Sequence, residues 1–239
     1  VVPATFTNFL VAAEDHYERY LTGSFIRLLR LVAFFASLAL PATYVAITTF
    51  HQELLPTPLI LSIAAQREGV PFVAIIEVLF LELSFEFLRE AGIRLPNVIG
   101  PAISIVGALI LGEAAVRAGL VSSALVIVVA ATSIASFISP IYSMAISVHL
   151  LRFPVIFLAG SLGLFGVIIG LSAILLHLSS LRSFGVPYLE PIAPVVLSEW
   201  KDTLIRLPLW MMDTRPESIT KKERIRQDRG QKPRPPQQD

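Results

Sequence analysis

The sequence predicts an all-α membrane protein with about four transmembrane helices, or up to six, accompanied by amphipathic helices that lie at the membrane interface. Of its 239 residues, 54% are hydrophobic and only 15% are charged, whereas ordinary globular domains carry about 25% charged residues. Three long runs contain no charged residue, and they cover residues 31–50, 120–148 and 153–181. Uncharged runs of about 18 residues or more are typical of membrane spans, and the core of a soluble protein would not leave runs of this length.

The chain begins with residues 1–30, which we expect to lie at the interface ahead of the first span. Residues 14–30 set tyrosine and leucine against arginine at helical spacing, which is typical of an interfacial helix at headgroup level. The first span is predicted at residues 31–50. Pro41 lies inside it, and a membrane helix tolerates such a proline when a neighbour bonds the carbonyl that the proline leaves free.

The next region combines a short apolar segment with an acidic helix. Residues 54–65 are too few for a crossing and include two prolines, so we predict a re-entrant or interfacial segment. In the helix predicted over 70–90, four charged residues share about a third of the circumference, while Glu77 points elsewhere. This acidic stripe consists of Glu82, Glu86, Arg89 and Glu90. Arg89 follows Glu86 by three residues and is expected to pair with it.

The acidic stripe has two interpretations. An ionised carboxylate that faces lipid costs a few kcal/mol or more, so the stripe must face water, protein or headgroups. A helix lying on the membrane surface meets this requirement and is the commoner case. Alternatively, the stripe lines an aqueous vestibule on an ion path, where intramembrane acids often occur.

The span predicted at 98–117 is rich in small residues. Small faces let membrane helices approach each other closely, which is their commoner use, but they also leave room for a pore. Glu113 and Arg117 are four residues apart and are expected to pair at one end of the helix. The candidate pore-lining residues are Gly100, Ser104, Gly107, Ala108 and Glu113.

Two further spans are predicted at 120–140 and 153–178. Pro140 is expected to end the first of them, and residues 149–152 (HLLR) are interpreted as a short polar hinge. In the second, four glycines spaced three or four residues apart fall mainly on one side and indicate a packing seam.

The membrane domain is therefore predicted over residues 31–180. A proline-rich loop and an interfacial helix follow over 181–212, where Trp200 and Trp210 favour headgroup level. The tail over 213–239 is polar, basic and proline-containing, which is typical of disorder. Basic residues near both ends favour the cytoplasmic side, so both termini are expected there and the number of crossings is expected to be even.

Motifs for catalysis and cofactor binding are absent from the sequence. The chain has no cysteine, which excludes disulfides, thiolate metal sites and thiol nucleophiles. It contains no GxxxxGK[ST] phosphate loop, no HExxH metal motif and no GxSxG nucleophile elbow. We therefore predict a protein that is not an enzyme, with no catalytic residues, no metal site, no cofactor and no nucleic-acid partner.

Seven blocks of the sequence, in order, resemble the membrane domain of the A subunit of bacterial spore germinant receptors, the GerA type. They are EDHYERYLTGSFIRLLR, LLPTPLILSIAAQREGVPF, ELSFEFLREAGIRLP, SIVGALILGEAAVRAGLVS, IASFISPIYSMAI, LLRFPVIFLAG and LRSFGVPYLEPIAP. A close sporulation-stage-five paralogue in the same family is equally similar. The resemblance covers residues 5–216 and is specific because all seven blocks match in register.

The resemblance implies a protein of the spore inner membrane, with a large soluble domain ahead of the membrane region. A chain that begins at Val1 without Met agrees with this expectation. Besides membrane lipid, the implied partners are a transporter-like B subunit that senses nutrients and a lipid-anchored C subunit. Copies of the A subunit are expected to form a nutrient-gated channel for monovalent cations, as a closed ring that is expected to be a pentamer. The family offers no short catalytic motif to carry over.

We therefore expect an oligomeric cation channel, gated by the helix at 98–117, that releases ions at the start of germination. Rings of acidic side chains are a known way to favour cations, so Glu113 is expected near the path. Glu86 and Arg89 are expected to couple the acidic helix to movement of the pore. Two alternatives stay open: a small secondary transporter with proline-interrupted helices, and a scaffold subunit that docks partners and conducts nothing.

Overall fold

The chain folds almost entirely into α-helices, as predicted. The computed structural model describes residues 3–95, 100–196, 199–203, 205–215 and 225–227, and within 100–106 it describes the backbone alone. The helices in these residues are α1 (Tyr20–Phe50), α2 (Thr57–Arg67), α3 (Ala74–Arg94), α4 (Gly100–Arg117), α5 (Ser123–Phe137), α6 (Tyr142–Leu162), α7 (Leu164–Ser180) and α8 (Trp200–Thr203). Two short strands, β1 (Arg182–Ser183) and β2 (Val186–Pro187), pair as an antiparallel hairpin. Short 3-10 helices cover Phe6–Phe9, Ala13–His16, Gln52–Leu54 and Leu209–Met211.

Two compact units make up the chain, and each is described by itself. The first unit comprises Val1–Ala33, Ile138–Met144 and Ala173–Asp239. The second unit comprises Phe34–Phe137 and Ala145–Ser172. The predicted acidic helix therefore belongs to the second unit, and the hairpin belongs to the first.

The core of the second unit is built from apolar side chains of α1, α3, α5 and α6. Its buried members include Ala42, Val45, Val78, Leu81, Leu125, Val129, Ile156 and Ala159. Helix α3 packs against α4 and α5, and α2 packs against α5. Residues three or four apart share one face of a helix. The face of α3 that buries Val78 and Leu81 is therefore also the face that carries Glu82.

Helix α1 runs without a break from Tyr20 to Phe50, with Pro41 in its interior. The helix is therefore continuous across residue 30, where the sequence predicts that an interfacial helix leads into the first span. The helix predicted to begin at residue 14 starts only at Tyr20, because Ala13–His16 forms a 3-10 turn. Arginines that suggested a headgroup boundary are instead buried: Arg27 and Arg30 are 4% and 8% exposed.

Two described helices, α1 and α6, are long and apolar enough to cross a bilayer by length and composition. By this criterion the described residues contain two candidate spans, rather than the predicted four or up to six. Helices α5 and α7 are apolar but have only 15 and 17 residues. At about 1.5 Å per residue they fall short of a hydrocarbon core of about 30 Å. The predicted break at Pro140 is confirmed, because it lies between the end of α5 and the start of α6.

The predicted hinge at 149–152 and the predicted single span at 153–178 are both wrong. Residues 149–152 lie in the interior of α6, where His149 and Arg152 are buried. The chain breaks instead at Gly163, whose φ of +66° is a left-handed conformation that glycine adopts without a Cβ clash. The sequence reasoning took polar residues as a sign of solvent, although here they are polar because they meet buried partners.

Two of the four glycines of the predicted seam pack α7 against α6. A Cβ at Gly166 would overlap the carbonyl of Leu158, and a Cβ at Gly170 would lie 3.2 Å from Cγ2 of Val155. Contact positions advance along α7 while they retreat along α6, so these two helices are antiparallel. The seam therefore joins two consecutive helices.

In the first unit, N-terminal turns pack on the segment that follows the hairpin. The rings of Phe6 and Phe9 lie 6.4 and 6.2 Å from the ring of Tyr188. The interfacial helix predicted within 181–212 is reduced, in the described residues, to α8 and the 3-10 turn Leu209–Met211. Thr214 forms an isolated antiparallel bridge with Ile225. The rest of the predicted tail, 216–224 and 228–239, lies outside the described residues.

Candidate functional site

A buried salt bridge joins α3 to α6 inside the second unit. Arg152 is 1% exposed and Glu82 is 5% exposed. Nη1 of Arg152 donates to Oε2 of Glu82 at 2.5 Å. Glu82 reaches Arg152 because it shares a helix face with the buried residues Val78 and Leu81, so its side chain enters the same interface.

Arg152 also bonds α1 at the position that a proline leaves open. Its Nε donates to the carbonyl of Ser37 at 2.7 Å. In an α-helix this carbonyl would accept the N–H of residue 41, four positions later, but Pro41 has no N–H. The side chain of Arg152 therefore supplies the donor that α1 lacks, and a single guanidinium links α1, α3 and α6.

A second contact lies one helical turn away from the first. Oε2 of Glu86 lies 3.7 Å from Nδ1 of His149 and 3.3 Å from Nη1 of Arg89. Arg89 in turn donates to Oγ of Ser136 at 3.4 Å and stacks over the Phe137 ring at 5.6 Å. The side chain of Glu86 is 40% exposed, so the network is buried at Glu82 and open at Glu86.

Three buried polar atoms of this network have no hydrogen-bond partner in the described part of the chain. They are Oε1 of Glu82, Nη2 of Arg152 and Nε2 of His149. Bringing two charges into an apolar interior is costly, and good geometry offsets that cost only when the remaining donors and acceptors are bonded. An expensive, incompletely bonded ion pair among apolar helices marks a functional site more often than a stabilising contact.

The predicted acidic stripe divides between this network and the surface. The predicted pairing of Glu86 with Arg89 is confirmed, and Glu82 lies one turn from them. Glu90 instead pairs with Arg94 at 2.6 Å, and both side chains are exposed. Glu77 points elsewhere, as predicted. It is buried against Arg67 at 3.2 Å and accepts the backbone N–H of Ser122 at 3.1 Å.

The candidate pore-lining residues of α4 are not brought together at one described cavity. A Cβ at Gly107 would lie 2.9 Å from Cδ2 of Leu88 on α3, so this glycine packs against the acidic helix. Ala108 is half-buried, and Glu113 is exposed and pairs with Arg117 at 2.6 Å, as predicted. The surroundings of Gly100 and the side chain of Ser104 lie outside the described residues.

Sequence reasoning missed Arg152, His149 and the carbonyl of Ser37. One signal could have found the first of them, since Arg152 is the only residue among Asp, Glu, Lys and Arg between Arg117 and Arg182. A lone arginine in so long an uncharged stretch must find a partner if it lies within the membrane. Glu77, Glu113 and the acids of the acidic stripe all have comparably apolar settings, so the sequence alone does not single out the partner.

A second charged cluster lies in the first unit around Asp15, which is 1% exposed. Arg30 donates to both carboxylate oxygens, at 2.6 and 2.7 Å, and Nε of Arg27 donates to Oδ2 at 3.4 Å. Burial alone would raise the pKa of Asp15. Hydrogen bonds from Arg30 and the Ala12 N–H, with the charges of Arg30 and Arg27, outweigh burial and hold the pKa below its ordinary value.

The first unit also contains a polar cavity of about 180 Å³, lined in part by Thr7, Glu190, Lys201 and Arg226. Its described lining includes three acidic and three basic side chains, so neither charge predominates. Among the described residues, no group of three or more His, Asp or Glu side chains could hold a metal ion.

The chain matches a family model described as Bacillus/Clostridium GerA spore germination protein over residues 1–218. It is 52% identical over 235 residues to spore germination protein KA of Bacillus subtilis (strain 168), covering 98% of this chain and 43% of that protein. It is 51% identical over 219 residues to a protein of the same organism called uncharacterized membrane protein YfkQ, covering 92% and 43%. It is 45% identical over 223 residues to spore germination protein GerLA of Bacillus cereus, covering 93% and 45%.

The chain therefore spans less than half the length of each of these three relatives. No solved structure matches it.

Proposed function

Because the chain belongs to the GerA family of spore germination proteins, we propose that it is the membrane region of an A-type germinant receptor subunit. Relatives named as spore germination proteins, and one named as a membrane protein, support this proposal. In it, the protein lies in the spore inner membrane with both termini on the cytoplasmic side. Its partners are a transporter-like B subunit, a lipid-anchored C subunit and further copies of itself, and it has no enzymatic activity.

The proposed activity is conduction of monovalent cations through a ring of copies, gated by nutrient binding elsewhere in the receptor. The observation that carries this proposal is the polar network of Glu82, Glu86, His149 and Arg152, which contains the buried Glu82–Arg152 ion pair. Charge placed inside an apolar helical unit commonly marks an ion path. The half-exposed Glu86 supplies the acidic vestibule, since repeated carboxylates around a pore favour cations.

In this mechanism the two ends of the network have different roles. Glu82 and Arg152, which are buried and bonded, hold α3 to α6 in the closed arrangement. Arg89 passes movement of α3 to α5 through Ser136, and Gly107 passes it to α4 through Leu88. Helix α4 is the proposed pore helix, with Gly100, Ser104, Gly107, Ala108 and Glu113 on or near the path.

A flux experiment tests the proposal. The chain is reconstituted with its proposed B and C partners into vesicles loaded with potassium, and efflux on adding nutrient is measured with a potassium-selective electrode. Glu86→Gln should lower potassium efflux severalfold, because the vestibule loses its charge. Glu90→Gln is the matched control, since Glu90 lies one turn away on the same helix but pairs with Arg94 at the surface. A folded receptor without efflux on adding nutrient, or equal effects of the two substitutions, would contradict conduction through this vestibule.

One observation favours a second candidate, a scaffold subunit that conducts nothing. Gly107 packs against Leu88, so part of the small face of α4 is used for helix packing rather than for an opening. Single cysteines along 98–117 separate the two candidates, because the native chain has no cysteine. A thiol reagent should block efflux at some of these positions in a channel, whereas block at none of them would favour the scaffold.

A further inference from the structure

The tip of the β1–β2 hairpin has an unusual residue in its turn. The register pairs Arg182 with Pro187 and Ser183 with Val186, which leaves a two-residue turn of Phe184 and Gly185. Their φ angles are 51° and 85°. Positive φ at both central positions defines a turn in which Asn, Asp or Gly normally precedes the glycine. The turn geometry therefore does not explain why phenylalanine occupies the first position.

The same side chain is displayed to the outside of the protein. Phe184 is 83% exposed, and a Cβ at Gly185 would meet no atom within 4 Å. A bulky residue with positive φ is uncommon and points to a functional constraint. Two unfavourable features, the backbone conformation and the exposed ring, coincide at one residue, which indicates that this ring has a surrounding other than water.

The base of the hairpin is held in place while its tip is open. The N–H of Tyr188 donates to the carbonyl of Leu181 at 3.0 Å, and the N–H of Phe6 donates to the carbonyl of Tyr188 at 2.7 Å. Oγ of Ser183 accepts the N–H of Ala4 at 3.2 Å. The hairpin therefore presents Phe184 from a fixed support, which lowers the entropy lost when the tip binds.

An apolar surface leads to the tip from the end of α7. Leu175 and Leu176, in the last turns of this helix, are 50% and 70% exposed, and Leu181 is 38% exposed. Phe184 follows the end of α7 by four residues, so its Cα lies within about 14 Å of that end even in an extended chain. If α7 contacts the membrane with these leucines, the tip lies at the depth of the headgroups.

A basic residue stands beside this apolar surface. Arg182 is exposed, and no salt bridge or hydrogen bond of its side chain is recorded in the described part of the chain. A guanidinium binds phosphate through two parallel hydrogen bonds. Aromatic and basic residues together at the end of an apolar helix are typical of the membrane interface.

We propose that the β1–β2 hairpin docks into an anionic phospholipid surface, with Phe184 at the boundary of the acyl chains and Arg182 on a lipid phosphate. The occupant is lipid because the tip continues the apolar surface of α7 and carries a positive charge. This proposal rests on the proposed membrane location but not on ion conduction, so the depth measurement and the flux measurement can fail independently.

Spin labels measure the depth of the tip directly. Phe184→Cys is labelled in the full chain, in vesicles of phosphatidylcholine with phosphatidylglycerol, and collisions with oxygen and with a water-soluble nickel complex are compared. Glu14→Cys is the control, because Glu14 is an exposed polar residue of the same unit. The ratio of oxygen to nickel collisions at 184 should be severalfold higher than at 14.

Two further arms keep the test decisive. Adding Arg182→Gln to the labelled Phe184→Cys chain should reduce this ratio, and vesicles of phosphatidylcholine alone should reduce it equally. If Phe184→Cys does not fold, a label at Leu181→Cys, which keeps both Phe184 and Arg182, reports the depth of the same hairpin. A ratio equal to that at position 14 would overturn the proposal in favour of water, and a label shielded from both reagents would overturn it in favour of a protein partner.

Discussion

A guanidinium buried in an apolar helical unit needs an acceptor for each of its donors. Arg152 finds a carboxylate on α3 and a carbonyl on α1, while its Nη2 atom has no partner in the described part of the chain. The α1 acceptor exists only because Pro41 removes the N–H that would otherwise compete for it. A proline and an arginine more than a hundred positions apart are therefore energetically linked.

We expect removal of one partner of the Glu82–Arg152 pair to be more damaging than removal of both. Arg152→Met leaves a buried carboxylate without its counter-charge, which costs about 3–5 kcal/mol of unfolding free energy. The double variant Glu82→Met/Arg152→Met removes both charges and should be more stable than either single variant. Denaturant unfolding of the chain in detergent measures all three.

Arg117→Met is the control for this series. Its pair with Glu113 is exposed on both sides, and such pairs contribute about 0–1 kcal/mol. If the double variant is no more stable than the single variants, the unpaired charge is not the main cause of their instability. In that case the bond to the Ser37 carbonyl would be the larger contribution of Arg152.

Asp15 predicts a dependence of stability on pH. Because its folded pKa is below the ordinary value, its stabilising contribution is fully present above the unfolded pKa of about 3.9 and is lost as pH falls through the folded pKa. Asp15→Asn leaves Arg27 and Arg30 without their shared carboxylate and should lower the melting temperature at neutral pH. The difference between wild type and variant should stay constant down to about pH 5 and shrink below about pH 4.

Melting curves of both proteins across this pH range provide the measurement. Taking the difference cancels the other carboxylates, which titrate equally in the two proteins. A difference that grows on acidification would contradict an ionised Asp15 in the folded state.

At the residue scale, the sequence predicts that a charged side chain must be kept from lipid better than it predicts which residue pairs with it. The cost of a carboxylate in lipid predicts that the acidic stripe faces water, protein or headgroups. Helical spacing predicts the Glu86–Arg89 pair. The choice of Arg152 for Glu82 is a tertiary contact between residues 70 positions apart, and local spacing carries no information about it.

At the element scale, the glycines of α6 and α7 differ in what they permit. Gly166→Ala would bring a methyl group onto the backbone carbonyl of Leu158, which has no freedom to rotate away. We expect this substitution to lower the unfolding free energy by about 1–3 kcal/mol or more, as in other overpacked interiors. Gly69→Ala is the control, because a Cβ there would meet no atom within 4 Å.

Gly160→Ala adds an intermediate case. Its Cβ would overlap Cδ1 of Ile75, the flexible end of a side chain that can change rotamer. The expected order of destabilisation, measured by thermal unfolding in detergent, is Gly166→Ala above Gly160→Ala above Gly69→Ala. Equal stability of the Gly166 and Gly69 variants would mean that α7 does not pack closely on α6.

Element boundaries were less predictable than element existence. Uncharged runs reveal apolar helices but not where they end. The break at Gly163 lies within an uncharged run, and the polar residues His149 and Arg152 lie buried inside α6 rather than in a loop. Prolines were also ambiguous. Pro140 lies between helices, whereas Pro41 and Pro154 lie within them, and a neighbouring donor makes this difference at Pro41.

At the scale of the whole molecule, an even number of crossings predicts that both ends of the first unit label from one side of the membrane. Glu14→Cys and Ile225→Cys, each in the otherwise cysteine-free chain, should react together with a membrane-impermeant maleimide in oriented vesicles. If the two cysteines react from opposite sides of the membrane, the number of crossings between them is odd. That result would contradict the proposed topology.

The all-α class and the family of the whole molecule were predictable from composition and from seven sequence blocks. The number of membrane-crossing helices was not, because the predicted span at 120–140 corresponds to a helix of 15 residues and the predicted span at 153–178 is divided at Gly163 between α6 and α7. Whether such helices cross depends on bilayer thinning, tilt and neighbouring copies, none of which is encoded in hydropathy along one chain.

The acids on α3 are spaced so regularly that α6 could contact them in more than one register. Glu82, Glu86 and Glu90 repeat every four residues, while Arg152 and His149 stand three apart on a helix that runs the opposite way. A translation of about 5.4 Å, the pitch of one turn, would seat Arg152 on Glu86 and His149 on Glu90. The carboxylate that Arg152 meets therefore depends on the register of α3 and α6: Glu82 in the present register, and Glu86 one turn away.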